Sequence, residues 1–288
     1  MKNVLKQIEE SYSSFSKGQK KIADYVINQY DKAAYTTAAK LGKEVDVSES
    51  TVVRFAVALG YEGFPELQSA LREIIKTKLT ALQRFEILSE KMDNADVLSK
   101  IMSGDISKLK TTMENLSRQD FDNSVETILK AKTIYIIGVR SASAIASFMG
   151  FYFNLLFDNV KIVQTTSISE VFEQILRAGD DDVVIGITFP RYSRRTVKAL
   201  EYAKNSGASV VAITDTCKSP IVQFSDFKLY AKNDAASFVD SLVAPMSIVN
   251  ALIVALGMRK KEETSMIFNK LEGIWDEYDV YSKEHSDE

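Results

Sequence analysis

The chain has 288 residues, 45% of them hydrophobic and 26% charged, with a net charge of −3, which is enough for about two domains with packed cores. No apolar run approaches the roughly 20 residues needed to span a bilayer, and the recurrent charges through residues 1–21 exclude a signal-peptide pattern, so a cytoplasmic location is expected. The single cysteine, Cys217, excludes an intrachain disulfide and a multi-cysteine metal site; neither a metal nor a cofactor is expected.

In chain order, Ile22, Val26 and Tyr30, flanked by Ala23 and Ile27, recur at helical spacing and predict a helix with one apolar stripe. Thr37 can cap a helix running through Leu41 and Lys43 to about Val45, leaving Asp46 and Val47 for a turn. Ser48 can then cap a second helix. On it, Val52, Phe55, Ala56 and Leu59 share one face while Ser50, Arg54 and Val57 point the opposite way, with Thr51 to one side. Two short helices joined this tightly cross steeply. A short polar donor and a guanidinium near the N-terminus of the second are what a major-groove reader presents. The stretch is therefore read as a helix-turn-helix, the alternative being an ordinary capped amphipathic helix. The first 80 residues hold twelve Lys/Arg against ten Asp/Glu. The contrast is mild, yet Lys17, Lys20, Lys21, Lys40, Lys43 and Arg54 are available to phosphates.

From Glu66 to Leu116 the pattern stays helical, with Leu67, Leu71, Ile74, Ile75, Leu79, Leu82, Phe85 and Leu88 at three- and four-residue spacing. This predicts a helical connector, part of which packs against a partner subunit or on its own chain. Near Lys130 short β-branched runs begin to alternate with helical stretches: residues 133–137, 160–163, 182–188, 208–214 and 227–230. Five such strands with mostly helical crossovers predict a parallel sheet covered on both faces. The apolar run from Ile248 to Gly257 is expected to be a buried helix within residues 239–258, and the tail beyond Ser265 is acidic and expected to fray near its end. The expected division is a helix-turn-helix domain at 1–78, a helical connector at 79–104 and an α/β domain at 105–288: an all-α headpiece joined to a three-layer αβα domain.

In open parallel sheets ligands bind outside the carboxyl ends of the strands. After the first strand comes Gly138-Val139-Arg140-Ser141-Ala142-Ser143, a tight turn into a helix whose free N–H groups favour an anion. After the third comes Thr188-Phe189-Pro190-Arg191-Tyr192-Ser193-Arg194-Arg195-Thr196, with arginines and hydroxyls leading into another helix. Hydroxyls and guanidinium groups together suit phosphate. No Gly-rich loop ending in Lys-Ser/Thr occurs, and Gly138 lacks the partners of a dinucleotide fingerprint.

The N-terminal pattern, Val47-Ser48-x-Ser50-Thr51-Val52-x-Arg54-Phe55 with Leu59-Gly60-Tyr61-x-Gly63-Phe64-x-Glu66-Leu67, resembles the DNA-binding domain of RpiR-type transcriptional regulators. The C-terminal half is similar to their sugar isomerase (SIS) domain in Gly138-x-Arg140-Ser141, Phe189-Pro190-Arg191-Tyr192-Ser193-x-x-Thr196, Ala203-Lys204-x-x-Gly207-Ala208, Ile213-Thr214-Asp215 and Ser219-Pro220. The resemblance implies a phosphosugar effector site in which Ser141 falls at or beside the first-loop serine, and Ser193 and Thr196 match the phosphate-binding hydroxyls. There are departures from the family pattern. Arg194 stands where glycine is usual, Arg140 replaces a small residue and Ala142 a serine, which points to a different or more anionic ligand. Arg140 and Arg191 either serve that ligand or lock the loops or the dimer. In the headpiece Gly42 replaces a common alanine, and Asp46 replaces the usual turn glycine, a position Asp tolerates.

The expected DNA-contact set is Lys17, Lys20, Thr37, Ser48, Ser50, Thr51 and Arg54, with Arg54 and Ser50 at base edges. The expected effector set is Arg140, Ser141, Thr188, Arg191, Ser193, Arg194 and Thr196. The expected partners are a double-stranded DNA operator, a small anionic metabolite and a second copy, as homodimer or homotetramer. No catalytic residue is assigned. A sugar-phosphate isomerase is the alternative and would need a base; the only histidine, His285, lies in the acidic tail, which leaves Glu170, Glu173 and Asp240 as carboxylate candidates. A SIS domain serving dimerisation alone is the third possibility.

Overall fold

The computed structural model describes residues 4–78, 80–91, 96–164, 167–233 and 238–281. The chain divides into two compact units, Met1–Lys91 with Ala235–Phe238, and Met92–Asp234 with Val239–Glu288.

The first unit is all-helical: α1 (Val4–Ser11), α2 (Lys17–Asn28), α3 (Tyr30–Ala33), α4 (Ala38–Glu44), α5 (Glu49–Ala58), α6 (Phe64–Lys78) and α7 (Ala81–Lys91). Their starts are written in the local chemistry. The side chains of Ser16, Thr37 and Ser48 accept hydrogen bonds from the backbone N–H groups of Gln19, Lys40 and Thr51, satisfying donors that the first helical turn leaves unpaired. The apolar faces converge on one core in which Ile22, Val26, Leu41, Val52, Phe55, Leu67 and Leu71 are fully buried. Between α4 and α5 the chain reverses through Asp46, whose φ of 52° lies in the left-handed region. Asp tolerates that conformation, and its carboxylate also takes a salt bridge from Lys21 at 3.1 Å.

The second unit opens with α8 (Val97–Asn115) and α9 (Arg118–Lys130). It continues through β1 (Thr133–Gly138), α10 (Ser141–Leu156), β2 (Val160–Val163), α11 (Ile168–Ile175), β3 (Asp182–Ile187), α12 (Arg194–Asn205), β4 (Ser209–Thr214) and β5 (Phe227–Tyr230), and closes with α13 (Val243–Arg259) and α14 (Lys261–Glu277). All five strands are parallel, in the order β2-β1-β3-β4-β5. Alternate residues of each strand serve opposite faces. Ile134, Ile136, Val183, Ile185, Val211 and Ile213 pack under α10 and α13, whereas Tyr135, Ile137, Val184, Val210 and Ala212 pack under α11 and α12. This is the three-layer αβα domain that the strand spacing predicts. The Ile248–Gly257 run lies inside α13, where Ile248, Val249, Leu252 and Leu256 are buried. Among the described residues no single helix is long and apolar enough to cross a membrane. The acidic tail is helical as far as Glu277, and the fraying expected at its end falls outside the described residues.

Because β2 and β3 flank β1 on opposite sides, the chain changes winding direction between β1 and β3. Gly138, the last residue of β1, is in register with Ile187, the last of β3, so the loops leaving both strands start side by side at the carboxyl edge. That is the switch point at which open α/β sheets form a crevice.

Candidate functional site

In the first unit, Val52, Phe55, Ala56 and Leu59 are buried, while Ser50, Arg54 and Val57 are exposed. The outward face of α5 is tied together locally. Ser48 Oγ lies 2.9 Å from Ser50 Oγ and 2.8 Å from Thr51 Oγ1, and Arg54 Nε donates to the Ser50 carbonyl at 3.3 Å. The N-terminus of α2 adjoins that of α5: a Cβ on Gly18 would stand 3.4 Å from Thr51 Cγ2. Two sets of helix-terminal N–H groups thus lie together, with Lys17 exposed beside them and Lys20 over the Tyr12 ring at 5.5 Å. Such a surface attracts anions. Thr37 is exposed and engaged as the cap of α4, and Lys21 is engaged with Asp46.

In the second unit, the loops after β1 and β3 bring Arg140, Ser141, Thr188, Arg191, Ser193, Arg194 and Thr196 to the switch point. Both loops carry an arginine in an unusual backbone conformation, Arg140 at φ 61° and Arg191 at φ 67°; for a bulky side chain this region costs free energy. Gly138 is required where it stands, because a Cβ there would collide with the Ala142 carbonyl oxygen. Thr188, nearly fully buried, accepts a hydrogen bond from the Ser193 N–H at 3.1 Å. Ser193 caps α12 by accepting from the Thr196 N–H at 3.4 Å. Thr214 at the end of β4 donates to the Thr188 carbonyl at 2.7 Å, bracing the loop from beneath. Thr196 is fully buried, and among the described residues its hydroxyl has no hydrogen-bond partner. Arg191 and Arg194 are exposed. The loop that leads into α12 thus carries exposed arginines and hydroxyl residues next to the helix N-terminus.

Two contacts at this edge have no local signature in sequence. Ser141 Oγ donates to Asp240 Oδ2 at 2.8 Å across 99 residues, and the Tyr192 hydroxyl donates to Asp215 Oδ1 at 2.9 Å. Asp240 enters the site as a partner of the first-loop serine, whereas sequence reasoning singled it out only as a carboxylate ahead of a helix. Glu170 and Glu173 are exposed on α11, and His285 lies outside the described residues. Cys217 is exposed and not disulfide-bonded. Among the described residues no cluster of His, Cys, Asp and Glu could hold a metal ion.

Residues 2–78 match the rpiR-family helix-turn-helix domain, and residues 127–255 match the SIS domain. An uncharacterized HTH-type transcriptional regulator of Haemophilus influenzae is 25% identical, covering 91% of this chain and 92% of the relative. Another, from Caldanaerobacter subterraneus, is 25% identical over 90% of this chain and 92% of the relative. Among solved structures, the sugar isomerase domain of an RpiR transcription factor from Sphaerobacter thermophilus has a TM-score of 0.59 at 24% identity, covering 62% of this chain and 98% of that one. The Vibrio vulnificus NanR protein complexed with ManNAc-6P has a TM-score of 0.59 at 19% identity, covering 98% of this chain and 100% of that one. Both share the fold.

Proposed function

Since the chain belongs to the rpiR family, with its helix-turn-helix domain followed by a SIS domain, we propose that it is a DNA-binding transcription regulator whose operator affinity responds to a phosphorylated sugar held at the β1/β3 switch point. The observation that carries this is the exposed polar face at the N-terminus of α5, braced by the Ser48 cap and set beside the N-terminus of α2. On this reading Arg54 and Ser50 meet base edges, and Lys17, Lys20 and Thr51 meet phosphates, with Thr37 and Ser48 holding the helix ends. A homodimer would place two such helices on half-sites about one helical turn apart.

The ligand's phosphate would sit at the N-terminus of α12, over Ser193 and Thr196 and between Arg191 and Arg194. Three features support that placement: the helix N-terminus with its dipole, the guanidinium groups and the buried Thr196 hydroxyl, which has no partner among the described residues. The NanR protein, which shares the fold, is seen with ManNAc-6P, a ligand of the same chemical class. Binding regulates only if the ligand prefers one of two arrangements of the protein, with a coupling typically of ~1–3 kcal/mol. The site binds its ligand without turning it over. The experiment is a gel-shift titration on DNA fragments recovered from the organism's own genome by the purified protein, repeated with phosphosugars added. Specific retention of a fragment that a phosphosugar strengthens or weakens is expected. Retention indifferent to sequence would remove the reader, and phosphosugar turnover would recast the second unit as an enzyme.

A further inference from the structure

Helix α14 is 17 residues long, and none of them is buried. A helix of that length is marginal in water unless an apolar face of it is packed, yet α14 spends little of its surface on its own chain. It is nevertheless held at a defined angle, bent 100° from α13, by a pinned corner. Lys260, between the two helices, donates to the Leu156 carbonyl at 2.7 Å, lies 4.7 Å over the Phe157 ring and pairs with Glu263 at 2.7 Å. The Thr264 hydroxyl donates to the Gly257 carbonyl at 3.3 Å. Inside this corner runs an apolar groove of about 470 Å³ between α10, α13 and α14, with Tyr152, Leu155, Val254, Met258, Thr264 and Phe268 along its walls, all within the second unit.

Val254 is 59% exposed, Met258 73%, Phe268 40% and Phe151, whose ring meets that of Tyr152 at 5.1 Å, 63%. At roughly 150–200 Å² for a whole side chain, these four leave on the order of 400 Å² of apolar surface in water. That is the size at which an exposed patch marks an interaction site, and about half of the ~800 Å² that each partner of a stable complex covers. We infer that this face is the homodimer interface, the groove of each copy receiving α14 of the other in an isologous contact. The charges on α14 fit that occupant. Lys261, Ser265, Phe268 and Glu272 recur at spacings of four, three and four residues and so share one face of the helix, with a cation at one end and an anion at the other. Two antiparallel copies of α14 about a twofold axis near Phe268 set Lys261 of each within one helical turn of Glu272 of the other. Such exposed opposite charges fix orientation more than they add affinity. The inference supplies a surface for the homodimer proposed above and draws on neither the DNA-contact nor the phosphosugar reading.

The test is sedimentation equilibrium of the full-length protein without DNA or phosphosugar. Wild type is expected to dimerise, and Met258→Glu, which puts a charge into the groove, should raise the dimer dissociation constant at least tenfold. Leu176→Glu, at a position 65% exposed on the α11 side of the sheet, should leave it unchanged. Lys261→Glu should weaken the dimer, and adding Glu272→Lys to it should restore the association, a rescue that a purely local role of either residue would not give. Three results would each overturn the inference: a monomeric wild type, which gives the groove to a small apolar ligand or another protein; a Met258→Glu protein that dimerises as tightly as wild type; and a doubly reversed protein no tighter than Lys261→Glu alone. Unfolding curves confirm that each constant is read on folded protein, and the two charge reversals, both at exposed positions, carry the test if Met258→Glu does not fold. Failure of the regulator reading shows only in the gel shift and leaves these constants as they are.

Discussion

The carbonyl oxygen of Val47 occupies the space that a side chain on Gly42 would need: a Cβ there would stand 2.8 Å from it, with the Glu49 nitrogen 3.3 Å away. The same two residues are joined by a hydrogen bond from the Val47 N–H to the Gly42 carbonyl at 2.8 Å. Helix α4 and the turn therefore pack backbone against backbone, which sets how closely α4 and α5 cross. Gly42→Val must push them apart. We expect the first unit to lose about 1–3 kcal/mol, the usual cost of overpacking, in urea unfolding, and sequence-specific DNA binding to weaken with it. Unchanged stability would mean that the crossing tolerates a wider gap.

Arg54 and Lys17 separate base reading from phosphate contact. Arg54→Ala should weaken binding to the preferred fragment by roughly 1–3 kcal/mol and relax its sequence preference. Lys17→Ala should weaken binding to all DNA alike and reduce the slope of log K against log salt by about 1. Fluorescence anisotropy at several salt concentrations measures both. Equal affinities for wild type and Arg54→Ala would take this side chain out of the reading face.

The buried hydroxyl of Thr196 has no partner among the described residues, so it costs stability unless a ligand takes it. Thr196→Val keeps the shape and removes the polar atom. The ligand-free variant should melt at the same temperature as wild type or higher, and the rise in melting temperature that a phosphosugar confers on wild type should shrink. A variant that melts lower without ligand and responds normally with it would make Thr196 a packing residue.

Tyr25 gives the first unit an alkaline limit. Burial raises its phenol to about 12, with the Glu44 carboxylate adding to the shift. The neutral phenol is the favoured form in the folded state. Its contribution is therefore complete below the unfolded value near 10 and is lost as pH climbs toward 12, where unfolding releases a proton. Tyr25→Phe has no proton to lose. Unfolding of both proteins in urea at pH 8, 10 and 12 should show wild type losing more stability than the variant over that interval, and parallel losses would place the alkaline sensitivity elsewhere.

Much of this was legible in the chain because it is local. Ser48 followed by an apolar face at Val52, Phe55, Ala56 and Leu59 specifies a capped helix and its buried side through hydrogen bonding and periodicity within a dozen residues. The β-branched runs at 133–137, 182–188 and 208–214 specify buried parallel strands in the same way, and an Asp at position 46 is compatible with a left-handed turn by its own side chain. Such signals are carried by neighbours along the chain, and tertiary packing had only to agree with them.

Contacts between distant segments had no such signal. That Gly42 lies under Val47, that the Ser141 hydroxyl donates to Asp240 and that the Thr196 hydroxyl is buried at the N-terminus of α12 follow from how helices and loops are brought together within each unit. The sequence by itself determined the order and kind of the elements, and the hydroxyl- and arginine-rich loops at two strand ends. The tertiary structure alone decided which of those polar groups remain able to donate, because a hydrogen-bonding group's capacity depends on the partner that folding places beside it.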